Sequence, residues 1–271
     1  MNLEDKVAWW IDLGTRPYQE VYELQKQLVT LRMAEQIPDV ILSVQHPTEI
    51  NFGNSNEHNR FSKEFLESVG LTEDSLDINR TKAYLETQNI SFSQRSRGGG
   101  ATVFAPGQLV YYPIVDYEKI TGRSLGVGEY KSKIYKIMFG TLSDLGIKGI
   151  DYSGKSLTTR DERRDVWLQK GGISYKLGSK GLQFSKNVAS HGFALYLDKQ
   201  GIAPFWMIRP CGYDHKAVSI TSVEDELGYT ISPKEVHSVV KNRMIQEFGY
   251  RAIVEQSSAK LQNMGVYNGA A

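Results

Sequence analysis

The sequence predicts an α+β protein with a mixed, largely antiparallel sheet and flanking helices. Three observations lead there. Helix-period and strand-period segments are interleaved without a regular βαβ repeat, which disfavours a doubly wound parallel sheet. From Asp165 to Leu197, short apolar runs alternate with glycines, the pattern of hairpins and meanders. A chain of 271 residues with 40% hydrophobic content can bury a sizeable core, which excludes intrinsic disorder.

The elements follow in order. Residues 15–36 place Val21, Leu24, Leu28 and Leu31 at spacings of three and four, with Thr15 as N-cap and Pro17 near the first helical position, so they predict an amphipathic helix. The run DVILSVQHP from Asp39 is rich in β-branched residues and ends at proline, and reads as a buried strand that delivers His46 and Pro47 to its end. Residues 54–95 are polar, with two short helical patterns (Phe61, Phe65, Leu66, Val69; then Tyr84, Leu85, Gln88), and read as an insertion into the main scaffold. The strand LVYYPIVDY and a helix over Tyr130, Ile134, Ile137, Met138, Leu142 and Leu145, closed by Gly146, come next. A loop with four Lys/Arg at 151–164 precedes DVWLQ and the meander. Ser232, Pro233 and Glu235 form a capping box ahead of Val236, Val239, Val240, Met244 and Phe248. With a last strand over Tyr250–Val254, they give a C-terminal helix–strand segment at 229–256. No repeat, low-complexity tract or linker divides the chain, so 1–271 reads as one domain.

Composition removes several function classes. With 32 Lys+Arg against 31 Asp+Glu there is no dominant basic face, so a purely electrostatic nucleic-acid binder is not expected. No stretch approaches the ~20 apolar residues of a membrane span, and the start MNLEDKVAWWIDLG has acids where a signal peptide needs basic residues and no 7–15-residue apolar run. The expectation is a cytoplasmic protein that engages neither membrane nor nucleic acid. A single cysteine, Cys211, excludes an internal disulfide framework and a multi-thiolate zinc site, and the histidines lack HExxH spacing, so no metal is expected.

Few residues remain that could carry chemistry. Cys211 sits in IRPCGYD, where proline before it and glycine after it fix a turn that presents the side chain at a strand end; against this, a lone cysteine is most often a small buried hydrophobe. Gly98, Gly99 and Gly100 follow Arg95 and Arg97, and without Cβ atoms their main-chain N–H groups can line a ligand tail or anion. A ligand-free glycine-rich hairpin is the competing reading. Lys176 stands in ISYKLGSKG among small neighbours, able to approach a carbonyl or thiol, or else to guard a solvated edge; Lys170 and Lys180 compete with it. His46 and His191 lie next to proline or glycine, and each alone suits a hydrogen-bonded structural histidine as well as a site.

The order of these motifs resembles the octanoyltransferase (lipoate-protein ligase B) family. The matching segments are QHP (45–47), RGGGATVFAPGQLVYYPI (97–114), KLGSKG (176–181), SHGFAL (190–195) and IRPCGY (208–213), followed by TSVEDELG (221–228). The resemblance implies a fold related to the catalytic domains of biotin and lipoate ligases. It implies transfer of octanoyl from acyl carrier protein to the target lysine of lipoyl domains, in 2-oxoacid dehydrogenase complexes or the glycine cleavage H protein, through a thioester on the cysteine. Carried over, Cys211 is the nucleophile and Lys176 its partner. His46, Arg97, Gly98, Gly99, Gly100, Gln108, Ser190, His191 and Gly192 match substrate-binding positions. Thioester exchange is nearly isoenergetic, so no ATP or other cofactor is implied. An ammonium near Cys211 would favour its thiolate, whereas a neutral lysine could take the thiol proton; the sequence leaves both open.

Two positions depart from the family. Phe104-Ala105 precedes Pro-Gly-Gln where the family has His-Gly, so Phe104 is expected as an apolar wall of the acyl site, and Lys180 replaces a usually apolar residue. An ATP-dependent lipoate or biotin-type ligase, which has no use for Cys211, and a non-catalytic acyl-carrier-binding module remain as alternatives. Lys119, Arg123, Lys131, Lys133 and Lys136, opposed only by Glu129, form a candidate docking face for acidic partners, or a solvated helix face.

Overall fold

The computed structural model describes residues 7–53, 61–94, 100–124, 126–148, 165–209 and 219–267. Its centre is an eight-stranded sheet built from β1 (Val7–Thr15), β2 (Asp39–Gln45), β6 (Gln108–Asp116), β7 (Val166–Lys170), β8 (Ile173–Ser185), β9 (Val188–Tyr196), β10 (Ser219–Ile220) and β11 (Ala252–Gln256). The order is β10-β8-β9-β6-β2-β1-β11, with β7 paired to β8. The β2–β6–β9–β8–β7 pairings are antiparallel, while β1 runs parallel to β2 and β11, and β10 parallel to β8. The sheet is therefore mixed, as the sequence predicts.

The period-two alternation of the strands sorts the core into two layers. Val40, Leu42, Val44, Val110, Tyr112 and Tyr196 face α1 (Tyr18–Met33). Ile41, Leu109, Tyr111, Phe193 and Leu195 face α5 (Val127–Asp144) and α8 (Pro233–Phe248). The expected capping box starts α8: the Ser232 hydroxyl accepts from Glu235 N, and the Glu235 carboxylate accepts from Ser232 N at 3.0 Å.

Two local expectations change. Thr15 does not cap α1; it ends β1, paired with Gln45, and Pro17 takes the N-cap position without a side-chain hydrogen bond. The sheet ladder claimed the residue that capping propensity would assign to the helix. Residues 54–95 carry α2 (Lys63–Ser68), α3 (Ile78–Thr87) and β4 (Ser91–Gln94). β4 lies parallel to β3 (Glu49–Phe52), and β3 pairs with β5 (Ala101–Phe104) in a second, three-stranded sheet. Phe61, Phe65, Leu66 and Leu85 are buried in the same core layer as α1. No helix among the described residues is long and apolar enough to cross a membrane. The four-Lys/Arg loop lies outside the described residues.

Two glycine positions set the meander. Gly171 and Gly172, at φ 56° and 79°, form the two-residue turn between β7 and β8, which needs positive φ at both central positions. At Gly192 the strands come so close that an added Cβ would sit 1.9 Å from the Tyr111 carbonyl oxygen on β6, against nothing within 4 Å at its β8 partner Gly181. Gly192→Ala should thus cost about 1–3 kcal/mol or more of stability, read from urea denaturation midpoints, while Gly181→Ala stays within ~0.5 kcal/mol. Equal losses at both glycines would show that close strand approach is not what selects Gly192.

Candidate active site

His46 and Lys176 lie at one end of the sheet, whereas His191 is five residues further along β9 from Tyr196, ~17 Å by strand rise. Tyr196 pairs with Gln108. Continuing the β2–β6 register from Val44↔Val110 puts His46 beside Gln108, and continuing the β8–β9 register from Gly178↔Leu195 puts Leu177 beside Tyr196. His46 and Lys176 thus occupy neighbouring rows at the same strand ends, three strand spacings or ~14 Å apart across the sheet.

Lys176 is buried, its side chain only 4% exposed, with Nζ 2.7 Å from Asp165 Oδ2 and 5.8 Å from the centre of the Trp167 ring. Its neighbour strand is the short β10, where Ile220 pairs with Lys176 and Thr221 N donates to the Lys176 carbonyl at 3.0 Å. An edge lysine guarding against aggregation would be solvated; this one is enclosed. Lys170, by contrast, is half exposed and pairs with Glu226.

His46 is fully buried at the end of β2. Its Nδ1 lies 2.7 Å from the Arg16 carbonyl oxygen and its Nε2 2.9 Å from the Tyr112 hydroxyl. A carbonyl only accepts, so Nδ1 carries the proton and Nε2 accepts from Tyr112, which fixes the neutral tautomer. Burial lowers its pKa from 6.5 to about 4, against the Arg16 carbonyl, which favours the charged form. Phe104 packs edge-on to the His46 ring at 5.0 Å and stacks on Tyr18 at 5.0 Å, so it joins β5 to α1 beside His46.

His191 sits opposite Pro113, where the hydrogen-bonded ladder between β9 and β6 is interrupted. The β6–β9 register is continuous on either side, but the pairs through Tyr112, Pro113 and Ile114 are interrupted: Pro113 has no N–H to give, and His191 has φ 56°. A non-glycine residue in the left-handed region is strained and needs neighbours that impose it. Gln25 Oε1 accepts from His191 N at 2.9 Å, and Tyr22 stacks on the His191 ring at 5.9 Å. Ser190 and Gly192 flank it within β9, both paired to β8. The Gln108 amide donates to the Val103 and Gly201 carbonyls, bracing β5 and the short α6 (Lys199–Ile202), and the Gly100 carbonyl accepts from Gly53 N.

Cys211, Arg97, Gly98 and Gly99 lie outside the described residues. The chain around Cys211 is bounded by Arg209, ion-paired with Glu73, and by Ser219, paired with Tyr175 next to Lys176. Among the described residues no group of three or more His, Cys, Asp or Glu side chains is arranged to hold a metal ion. Of the basic face, Lys119 pairs with Glu35, Arg123 with Glu129, and Lys133 donates to the Glu247 carbonyl, whereas Lys131 and Lys136 are exposed. Sequence reasoning missed Asp165, Tyr18, Tyr22, Gln25 and Tyr112. Asp165 was findable: centring the hairpin on Gly171-Gly172 puts Trp167 opposite Lys176, with Asp165 two residues on.

A family model described as the lipoyl protein ligase A/B catalytic domain matches residues 17–248. The octanoyltransferase of Syntrophobacter fumaroxidans is 33% identical over 230 residues, covering 85% of this chain and 86% of that protein. That of Desulfotalea psychrophila is 28% identical over 252 residues, covering 92% and 97%. Among solved structures, lipoate-protein ligase A bound with ATP superposes with a TM-score of 0.65 at 12% identity, covering 96% of this chain and 92% of that one. A bi-partite lipoate protein ligase from Thermoplasma acidophilum gives 0.63 at 12% identity, covering 96% and 90%. The fold is that of the lipoate ligases. The chain belongs to the lipoyl protein ligase A/B catalytic-domain family and is an acyltransferase.

The His46 value sets a pH dependence. Its folded pKa lies below the unfolded value, so the unfolded chain takes up the proton first; stability is complete above pH ~6.5 and falls as pH drops towards 4. The full difference is about 3 kcal/mol. His46→Gln should therefore lose less stability than wild type between pH 7 and pH 4.5, measured by urea unfolding; parallel losses would show that His46 titrates normally.

Proposed function

We propose that this member of the lipoyl protein ligase A/B family moves an octanoyl or lipoyl group from acyl carrier protein to the target lysine of lipoyl domains, with the whole chain acting as one acyltransferase domain. The reading rests on relatives named octanoyltransferases along most of their length, combined with one observation: Lys176, the lysine of the KLGSKG motif, is enclosed with a carboxylate at the sheet end that also holds His46.

In this reading Cys211 is the nucleophile. Its thiolate attacks the carbonyl of the carrier-bound thioester, a C–S bond forms to Cys211, and the carrier thiolate leaves and takes a proton. The acceptor lysine amine then attacks the new thioester, forming the amide, losing a proton and releasing the Cys211 thiolate. Neither step needs ATP, because each thioester is already activated towards the next nucleophile. A positive charge from Lys176 would favour the thiolate and the oxyanion formed at each attack. Arg97, Gly98, Gly99, Gly100, Gln108, Ser190, His191 and Gly192 are assigned to the acyl-binding surroundings.

Intact-protein mass spectrometry after mixing with octanoyl carrier protein should show one hydroxylamine-sensitive octanoyl adduct, absent in Cys211→Ser. In the same assay Lys176→Met should lower transfer by ~10²–10⁴, while Lys170→Met and Lys180→Met stay close to wild type. An adduct surviving in Cys211→Ser, equal effects at the three lysines, or transfer that requires ATP would remove this mechanism.

Phe104 tests the wall. An aromatic ring cannot exchange protons, and here it packs on Tyr18 and His46. Phe104→His should shift the preferred acyl length more than the pH optimum, with Phe104→Leu loosening that preference. Unchanged chain-length profiles with lowered melting temperatures in both would make the position structural.

A further inference from the structure

Asp165 connects two parts of the β7–β8 hairpin. Its Oδ2 accepts from Lys176 Nζ at 2.7 Å, and its Oδ1 accepts from the backbone N of Lys180 at 3.0 Å. Both charged side chains are nearly closed to solvent, at 4% for Lys176 and 6% for Asp165. The hairpin register explains how they meet. Trp167 pairs with Lys176 and Val166 with Gly178, so β8 carries one extra residue, Leu177, at a bulge. Leu177 is buried in the α5/α8 layer, while Lys176 shares the opposite side with Trp167 and Asp165. Bulges of this kind re-aim a side chain. Here the bulge brings the Lys180 N–H within reach of one carboxylate oxygen while the other holds the amine.

We infer that Asp165 is a positioning residue for the transfer reaction: it holds Lys176 at the sheet end, aimed and charged. Nothing in the motif pattern points to Asp165, which lies eleven positions upstream of the lysine and outside KLGSKG. The physical grounds are three. A lysine has four rotatable bonds and a strongly hydrated head, so enclosing it in one place requires a partner that compensates both the entropy and the lost water. A carboxylate fixed by its own backbone hydrogen bond is such a partner, because it does not have to be ordered at the moment the lysine docks. An anion at 2.7 Å favours the ammonium over the free amine, against the pull of burial, and this inference gives Lys176 the electrostatic one of its two open roles. The work of Lys176 is then to stabilise negative charge on sulfur and oxygen, with proton transfer left to solvent or to the departing groups.

The inference rests on the octanoyl-transfer reading, and the experiment separates the two. Octanoyl transfer from carrier protein to an apo lipoyl domain is measured for the wild type, Asp165→Asn, Asp165→Glu, Lys176→Met and the double variant Asp165→Asn/Lys176→Met, each with its melting temperature. Asp165→Asn should lower kcat on the order of 10–10²-fold with little change in KM for either protein. Asp165→Glu should recover part of the loss. The double variant should be no slower than Lys176→Met alone, because a residue that acts through Lys176 has nothing left to position. If Asp165→Asn unfolds around an unpaired ammonium, the double variant, which removes both charges, carries the comparison. Asp165→Asn at wild-type kcat, or a double variant slower than Lys176→Met by a further factor of ten or more, would overturn the inference while leaving the transfer reading intact. A wild type with no transfer would overturn that reading, and the inference with it.

Discussion

The Asp39 carboxylate, buried at the start of β2, fixes the geometry on which everything else rests. One oxygen accepts from Arg32 Nε at 2.6 Å and from Asp116 N at 3.0 Å, and the other from the Tyr250 hydroxyl at 2.8 Å. Four elements meet on this group: the end of α1, the start of β2, the end of β6 and the turn into β11. Burial pushes its pKa up, against the pull of the Arg32 guanidinium. Such a cluster contributes little net stability compared with apolar packing, but breaking it strands a charge in the core. What it does here is register. Arg32 is at one end of α1 and Tyr18 at the other, so pinning Arg32 to Asp39 places Tyr18 over His46, at the far end of the same strand. One buried charge cluster clamps this end of the sheet, and a second, Lys176 with Asp165, lies at the opposite end with His46.

The two faces of the sheet divide the labour in the same way. The α5/α8 side is packed with aliphatic and aromatic side chains in continuous contact. The α1 side is interrupted. Pro113 and the left-handed His191 open a gap in the β6–β9 ladder, while β9 remains paired to β8 through the same residues. A strand that loses one neighbour and keeps the other stays in place, so the gap does not unravel the sheet. Strain held by an intact neighbour is the form in which folded proteins keep unusual backbone at sites. The approach of Gly192 to the Tyr111 carbonyl belongs to the same constraint, since it keeps β9 against β6 within the interrupted stretch itself.

Much of this was legible because it is local. The β2 run, the β6 run and the α8 capping box follow from residue types within a few positions, and each appears where those residues are. β1 was not read, although VAWWIDLGT has the apolar, β-prone composition of a strand, because it pairs in parallel with β2 and β11 and no nearby turn marks it. β3 and β4 were missed for another reason: at four residues each, they are too short to show a period. In the candidate site, motif order singled out Lys176, His46 and His191, yet not what surrounds them. Tyr22 and Gln25 reach His191 from α1, 166 residues from His191 in the case of Gln25, and no spacing rule spans such a distance. Asp165 lies between these cases, within reach of hairpin arithmetic yet unmarked by any motif.

The environments of His46 and Lys176 also differ in a way that bears on chemistry. Both are enclosed at the same end of the sheet, yet one is held neutral and the other beside an anion. His46 has its donor nitrogen on the Arg16 carbonyl and its acceptor nitrogen on Tyr112, so neither position is open for a reacting group without breaking a buried hydrogen bond. Its imidazole therefore behaves as a rigid polar strut that aligns Tyr112 and supports Phe104. A neutral histidine adds no positive charge of its own to the apolar packing of Phe104 and Tyr18. Lys176, three strands away, is instead paired with the Asp165 carboxylate at 2.7 Å. An apolar cluster and a cationic group set apart across the strands is the arrangement the proposed transfer would use, because an acyl thioester is apolar along its chain and develops negative charge only at its carbonyl oxygen.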